Sequence, residues 1–267
     1  MSSILTLQGI HKTFEAGTPN ENHVLKGIDL TMEKGDFITI IGGNGAGKST
    51  FLNSIAGSLI VDEGQIIIDG KDVTNLTANK RAGLVSRVFQ DTRMGTASRL
   101  TIEENMAIAD RRGKSFGFSV GVTNKQREIF KEALKRLDLG LEDRLTTEVG
   151  ALSGGQRQAL TLLMATLKEP KVLLLDEHTA ALDPKTSDMV LGLTEEVIAS
   201  QGLTALMITH DMEQAIHMGN RLLMMDNGRI VVDVSGEEKA NLTVQHLLDL
   251  FKQKSGRALN DDALILG

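Results

Sequence analysis

Apolar positions in residues 1–41 run together or alternate over short spans, in "ILTLQGIHKTF", "VLKGIDLTM" and "DFITII", and Gly-containing turns break them. Such runs predict β-strands. After a Gly-rich break the period changes. Phe51, Leu52, Ile55 and Leu59 fall at helical spacing in "KSTFLNSIAGSL", giving strand, loop and helix in that order. "QIIIDGKDV" at residues 65–73 predicts a strand entering an Asp-Gly turn. Between about residues 96 and 150 strand patterns vanish, and "RLTIEENMAIA" and "KQREIFKEALKRLDL" carry helical periods, so a helical insert is expected with "DRRGKSFGFSVGVT" as a loop inside it. Strands resume with "KVLLLDE", apolar on both faces like a central parallel strand, and with "LTALMITH". "RLLMMDNGRIVVDV" places Asn227-Gly228 between two apolar runs and predicts a hairpin. From residue 237 on, one amphipathic piece, "VQHLLDLFKQ", precedes a polar end.

Composition narrows the classes without deciding among them. A hydrophobic fraction of 41 % and a charged fraction of 24 % are those of an ordinary folded protein. No stretch approaches the roughly 18 consecutive apolar residues of a spanning helix. The N-terminal "MSSILTLQGI" has no basic leader followed by an apolar run, and there is no Cys. Export and disulfides therefore have no support, and the cytoplasm is the expected compartment. A net charge of −6 gives no general reason to bind nucleic acid. The basic trio Arg111, Arg112 and Lys114 reads as a solvated surface.

Residues 42–50, "GGNGAGKST", fit G-x-x-x-x-G-K-S between a predicted strand and a predicted helix. Glycines let the backbone curl so that its N–H groups and the helix N-terminus face phosphate oxygens. Gly42, Gly43, Asn44, Gly45, Ala46, Gly47, Lys48, Ser49 and Thr50 are the candidate contacts, with Lys48 reaching the β- and γ-phosphates of ATP and the Ser49 hydroxyl on Mg²⁺. Asp176 ends the buried strand "VLLLD", where ligands collect in parallel sheets, and is placed in the Mg²⁺ shell. Glu177 follows as a carboxylate able to polarise an attacking water, or else as an acid that complements a helix dipole.

A second Gly-rich turn, "LSGGQRQ" at residues 152–158, opens another predicted helix and offers its N–H groups to an anion. One phosphate group flanked by the first loop leaves no room for a second loop of the same chain. A dimer closed around ATP resolves this.

With these elements in order, the chain resembles the nucleotide-binding subunit of an ATP-binding cassette (ABC) transporter over residues 4–235. The resemblance rests on the Walker A loop, the glutamine of "VFQD" (Gln90), the signature "LSGGQ", the Walker B strand "VLLLDE", the "ALD" ending at Asp183 and the histidine of "MITHD" (His210). It implies an α/β fold: a P-loop NTPase core with a parallel-rich central sheet, an N-terminal antiparallel β subdomain and a helical ABC-specific insert. The expected domains are one ATPase domain over residues 1–235, with the helical subdomain at about 96–155 inserted in it, and a helical tail over 236–267.

The resemblance also implies roles. Gln90 would join the Mg²⁺ shell and stand at the hinge of the insert. Ser153, Gly154, Gly155 and Gln156 would close over the partner's ATP, Asp183 would touch the facing Walker A loop, and His210 would bond the γ-phosphate and steady the water beside Glu177. Taken alone, Gln90 reads as an exposed strand-end residue and His210 as a core histidine. Where the family stacks adenine on a Tyr, this chain has no Tyr or Trp, and Phe14 stands in the matching place, as a stacking face or as plain core. His178, where Pro or Ala is usual, is expected near the subunit boundary, either tuning closure by protonation or as a harmless exposed side chain. The implied partners are a second copy, a transmembrane permease and an extracytoplasmic substrate-binding protein, with the chain peripheral on the cytoplasmic face of the membrane. "THDMEQAI" is closer to importers, and aromatic amino acids are one candidate cargo. A soluble ABC ATPase of an assembly machine, such as one for iron–sulfur clusters, shares all the motifs.

Overall fold

The computed structural model describes residues 3–114 and 121–255. Part of the expected loop in the helical insert and the polar end of the tail lie outside them. The chain opens with β1 (Ser3–Phe14), β2 (Asn22–Glu33) and β3 (Phe37–Ile41), passes through the Gly-rich loop into α1 (Lys48–Ala56), and continues with β4 (Glu63–Ile68) and β5 (Lys71–Asp72). A short α2 (Ala78–Arg81) and β6 (Val85–Val88) precede the helical stretch of α3 (Ile102–Asp110), α4 (Asn124–Lys135) and α5 (Gly154–Thr166). Then come β7 (Val172–Asp176), α6 (Pro184–Gln201), β8 (Ala205–Ile208), α7 (Met212–His217), β9 (Arg221–Asp226), β10 (Arg229–Ser235), α8 (Gly236–Ala240) and α9 (Val244–Ser255).

Two sheets form. An antiparallel one has the order β2-β1-β4-β5, and a six-stranded one has the order β10-β9-β3-β8-β7-β6, parallel except for β10. Period-two alternation sorts the central strands' apolar side chains onto two faces. Ile38, Ile40, Leu174, Leu206, Leu223 and Met225 share a core with α1 and the antiparallel sheet. Their neighbours Phe37, Leu173, Leu175, Ala205 and Met207 pack against α5 and α6, and Ile41, Leu222 and Met224 against α7 and α9. That is why these strands read as continuous apolar runs. The Asn227-Gly228 hairpin forms as expected, both residues in the left-handed region at φ 46° and 78°.

Arg81 is fully buried. Its Nε donates to Leu76 O, its Nη1 to Ser54 O and Ile55 O, and its Nη2 to Thr74 O. The first pair of helix carbonyls ends α1, so a cation sits where the helix dipole favours one. Burial pushes the guanidinium down to about 10, with Asp72 opposing, so it stays charged at neutral pH. Arg81→Met should leave these carbonyls unpaired and cost about 3 kcal/mol of stability, read from denaturant unfolding. The basic trio is not a uniformly solvated surface: Arg112 is half-buried and its Nη2 donates to Ala165 O and Lys168 O at 2.8 and 2.9 Å. Those carbonyls lie at the end of α5, which sequence spacing could not place beside residue 112.

Candidate functional site

The parallel strands β3, β8, β7 and β6 all end on one edge of the central sheet. Ile40 pairs with Ile208, Asp176 with Ile208 and Val88 with Leu175. The next residues along each strand are therefore neighbours: Gly42 after β3, Glu177 after β7, His210 after β8 and Gln90 after β6. Residues far apart in sequence converge because the fold is a parallel sheet, whose loops gather where the strands finish.

The loop after β3 is braced from outside itself. A Cβ on Gly42 would collide with the Met225 carbonyl oxygen, so β9 can approach only a glycine there. The hairpin turn supports the loop's far side, where Gly228 N donates to Ala46 O at 3.1 Å and Lys26 N to Gly228 O at 3.0 Å. Gly47, at φ 98°, caps α1 as its carbonyl accepts from Phe51 N. Lys48 folds its ammonium over the loop and donates to Gly42 O at 2.6 Å and Gly43 O at 3.3 Å. Burial lowers its pKa, while Glu177 and then Asp176 pull it back up. Asn44, Gly45 and Ser49 are exposed on this loop.

Glu177 has a left-handed backbone, φ 44°, unusual for a residue with a side chain. Its N–H donates to Ile208 O and its carbonyl accepts from Ala180 N, at 3.1 and 3.0 Å, which fixes the turn out of β7. The carboxylate is partly exposed, with Oε2 3.9 Å from His210 Nδ1. His210 is solvent-facing rather than a core residue, and Gln90 is exposed past Phe89 at the end of β6. Phe14 is 39 % exposed at the end of β1, with Lys12 Nζ 5.8 Å from its ring centroid, so it is a presented ring and not plain core.

The second Gly-rich turn stands on α5, which packs on β6, α3 and α6. Ser153 is its N-cap. The Ser153 side chain accepts from Gln156 N and Gln156 Oε1 accepts from Ser153 N, both at 3.3 Å, a capping box. Ser153 and Gly154 are exposed, whereas Gly155 is buried and a Cβ there would collide with Thr186 of α6. Its lack of a side chain thus serves helix packing as well as any anion. Asp183 is exposed and caps α6, its Oδ1 accepting from Thr186 N at 3.2 Å; the Thr186 hydroxyl and then its backbone N–H lower the Asp183 pKa.

A residue that sequence reasoning missed completes the edge. Arg87, in mid-β6, donates through Nη2 to Asp176 Oδ2 at 2.5 Å and through Nη1 to Asn53 Oδ1 of α1 at 2.6 Å. The only signal was a cation inside the strand "VSRV", between buried valines.

His178 corrects an expectation. It is 2 % exposed, neither at the surface nor free to face a partner, because α6 folds over it. His178 Nε2 lies 3.0 Å from Thr194 Oγ1, whose hydroxyl donates onward to Val190 O, so the imidazole carries the proton on Nε2 and donates it to Thr194. Burial drives its pKa from 6.5 down to about 4, and the ring is neutral from pH 6 to 8. The unfolded chain binds a proton near 6.5 that the fold refuses until about 4. His178 therefore contributes stability above that window, lost as pH falls through it, by about 3 kcal/mol at most. His178→Gln should flatten the acid side of the stability–pH curve and leave the ATPase profile between pH 6 and 8 in place, as unfolding and turnover measurements across that range will read.

With the geometry in place, comparison with known proteins decides the family. The family model described as "ABC transporter" matches residues 25–180. The chain belongs to the ABC transporter family. It is 42 % identical to a tyrosine transport ATP-binding protein of Clostridioides difficile (strain R20291), over 93 % of this chain and 99 % of that one. Among solved ABC structures it is similar to the ATP-binding cassette MJ1267 in its ADP conformation, with TM-score 0.77, 28 % identity, and 94 % of this chain and 99 % of that one covered. It is also similar to a dimeric post-hydrolysis state of the cassette MJ0796 bound to ADP and Pi, with TM-score 0.72, 29 % identity, and 86 % and 98 % covered. This chain is an ATP-binding and ATP-hydrolysing ABC subunit. Among the described residues, no helix is long and apolar enough to cross a membrane.

Proposed function

We propose that this chain powers import through a separate membrane permease, as one half of a dimer that shares two ATP molecules between its protomers. The single observation that supports this most is the division of the anion-binding turns. The Walker A loop, Asp176, Glu177, His210 and Gln90 lie at or just past the ends of the parallel strands at the sheet edge, while Ser153 and Gly154 are exposed at the start of α5, on a different element of the chain. A second copy is the natural source of the missing cap.

The donor set at the edge fits Mg²⁺, a hard cation that takes oxygen ligands and keeps substrate phosphates and waters for the rest. Asp176, the Ser49 hydroxyl and the Gln90 amide are oxygen donors, and they would hold it. Once bound, the ion neutralises charge developing on the phosphoryl oxygens. Phe14 stacks adenine. Lys48 leaves its loop carbonyls for the β- and γ-phosphates. Glu177 accepts a hydrogen bond from the attacking water and raises its nucleophilicity, and His210, close beside it, donates to the terminal phosphate. Ser153, Gly154 and Gln156 of one protomer cap the ATP held by the other, with Asp183 near the facing loop.

Cargo follows from the relatives rather than from the site. The likeness to a tyrosine transport ATP-binding protein supports an amino acid, delivered by an extracytoplasmic binding protein and passed through the permease, with this chain peripheral on the cytoplasmic face. A groove of about 360 Å³, lined in part by Arg87, Met94, Thr96, Ile108 and Met164, offers a docking face for that permease. Met94 and Ile108 are among the exposed large apolar side chains. Affinity purification from membranes, followed by uptake of labelled aromatic amino acids into vesicles, tests the reading. A polytopic protein should co-purify. Recovery with soluble scaffold proteins alone would instead favour an assembly ATPase.

A further inference from the structure

Two arginines drawn in from the surface differ in how their forks are met. Arg81 meets backbone carbonyls with every nitrogen of its fork. Arg87 does not. Its Nη2 is on Asp176 and its Nη1 on Asn53, while its Nε is buried with no acceptor among the described residues. The pair with Asp176 is withdrawn from solvent, the side chains 14 % and 15 % exposed, and the guanidinium lies over the Phe89 ring at 4.7 Å from its centroid. Arg87 also lines the groove that holds Met94 and Gly95. A full unit of positive charge therefore sits on the carboxylate assigned to Mg²⁺, on a side chain with one idle donor.

We propose that Arg87 is a positioning residue that competes with Mg²⁺ for Asp176, and so sets how much free Mg²⁺ nucleotide binding requires. The proposal rests on the reading of Asp176 as part of the Mg²⁺ site. A guanidinium and a divalent cation drawing on one carboxylate repel each other, and in this partly buried setting water screens that repulsion poorly. Charge, and not shape, is the operative quantity. Arg87→Lys retains it; Arg87→Met keeps most of the volume and removes it.

The test measures binding, not turnover: a fluorescent ATP analogue is held at fixed concentration with the full chain while free Mg²⁺ is titrated and anisotropy recorded. Arg87→Met should bring half-saturation to about tenfold lower free Mg²⁺. Arg87→Lys should stay within about twofold of wild type, and Asp176→Asn should need far more Mg²⁺. Should Arg87→Met unfold, Arg87→Gln carries the same expectation. A neutral variant that needs as much Mg²⁺ as wild type, or more, overturns the role of Arg87 while Asp176→Asn still upholds that of Asp176. An unchanged titration in Asp176→Asn removes the metal reading itself, and the proposal with it.

Discussion

Glu177→Gln should bind ATP, stay closed around it and hydrolyse it at least about a hundredfold more slowly than wild type. The amide keeps the size of the side chain, and the backbone bonds that shape the turn, Glu177 N to Ile208 O and Ala180 N to Glu177 O, involve no carboxylate. What is lost is the negative charge that draws a proton from the attacking water. Binding survives because the loop after β3, with Lys48 and the brace from Gly228, is untouched. The readouts separate these steps. Single-turnover hydrolysis should collapse while analogue binding persists, and size exclusion with ATP should show a dimer that wild type forms only transiently. Turnover at the wild-type rate would remove Glu177 from the mechanism. His210 sharpens the point, since its Nδ1 is 3.9 Å from the carboxylate and partly exposed. That is too long for a hydrogen bond, so the His210 ring is not held by Glu177 and remains available to a phosphate oxygen.

Legibility in the sequence follows range. The Gly-rich loop, the helix after it and the Asn227-Gly228 hairpin are written in adjacent residues, and each formed as its local pattern demands. The convergence of Gly42, Glu177 and His210 was readable one step further out, because apolar runs on both faces imply a parallel sheet and parallel strands finish together. Contacts between elements were not readable. Arg87 reaches Asp176 across 89 positions, and nothing in "LVSRVFQ" names its partner. His178 was expected near the subunit boundary; Thr194, which bonds it inside the fold, lies sixteen residues on along α6. Gly155 was read for its N–H alone, whereas the packing of α6 through Thr186 demands a glycine there independently. Single residues thus carry two constraints, and a sequence displays only the nearer one.

Two inactive variants, mixed, should regain activity. Lys48→Ala fails at its own phosphate loop but keeps an intact Ser153 turn. Ser153→Asp keeps its loop and its helix, since Asp caps as well as Ser, yet sets a carboxylate against the partner's terminal phosphate. Each homodimer then has a defect in both sites. In the mixed dimer one site combines both defects, and the other joins the intact loop of one chain to the intact turn of its partner. Random pairing makes about half the dimers mixed, each with one sound site, so turnover should return to about a quarter of wild type if the sites act independently. Because α5 retains its cap, equal unfolding midpoints for Ser153→Asp and wild type would exclude a folding defect as the cause of inactivity. A chain that completes its site alone gains nothing from mixing, so a mixture as silent as its components would mean that each nucleotide is handled within one protomer.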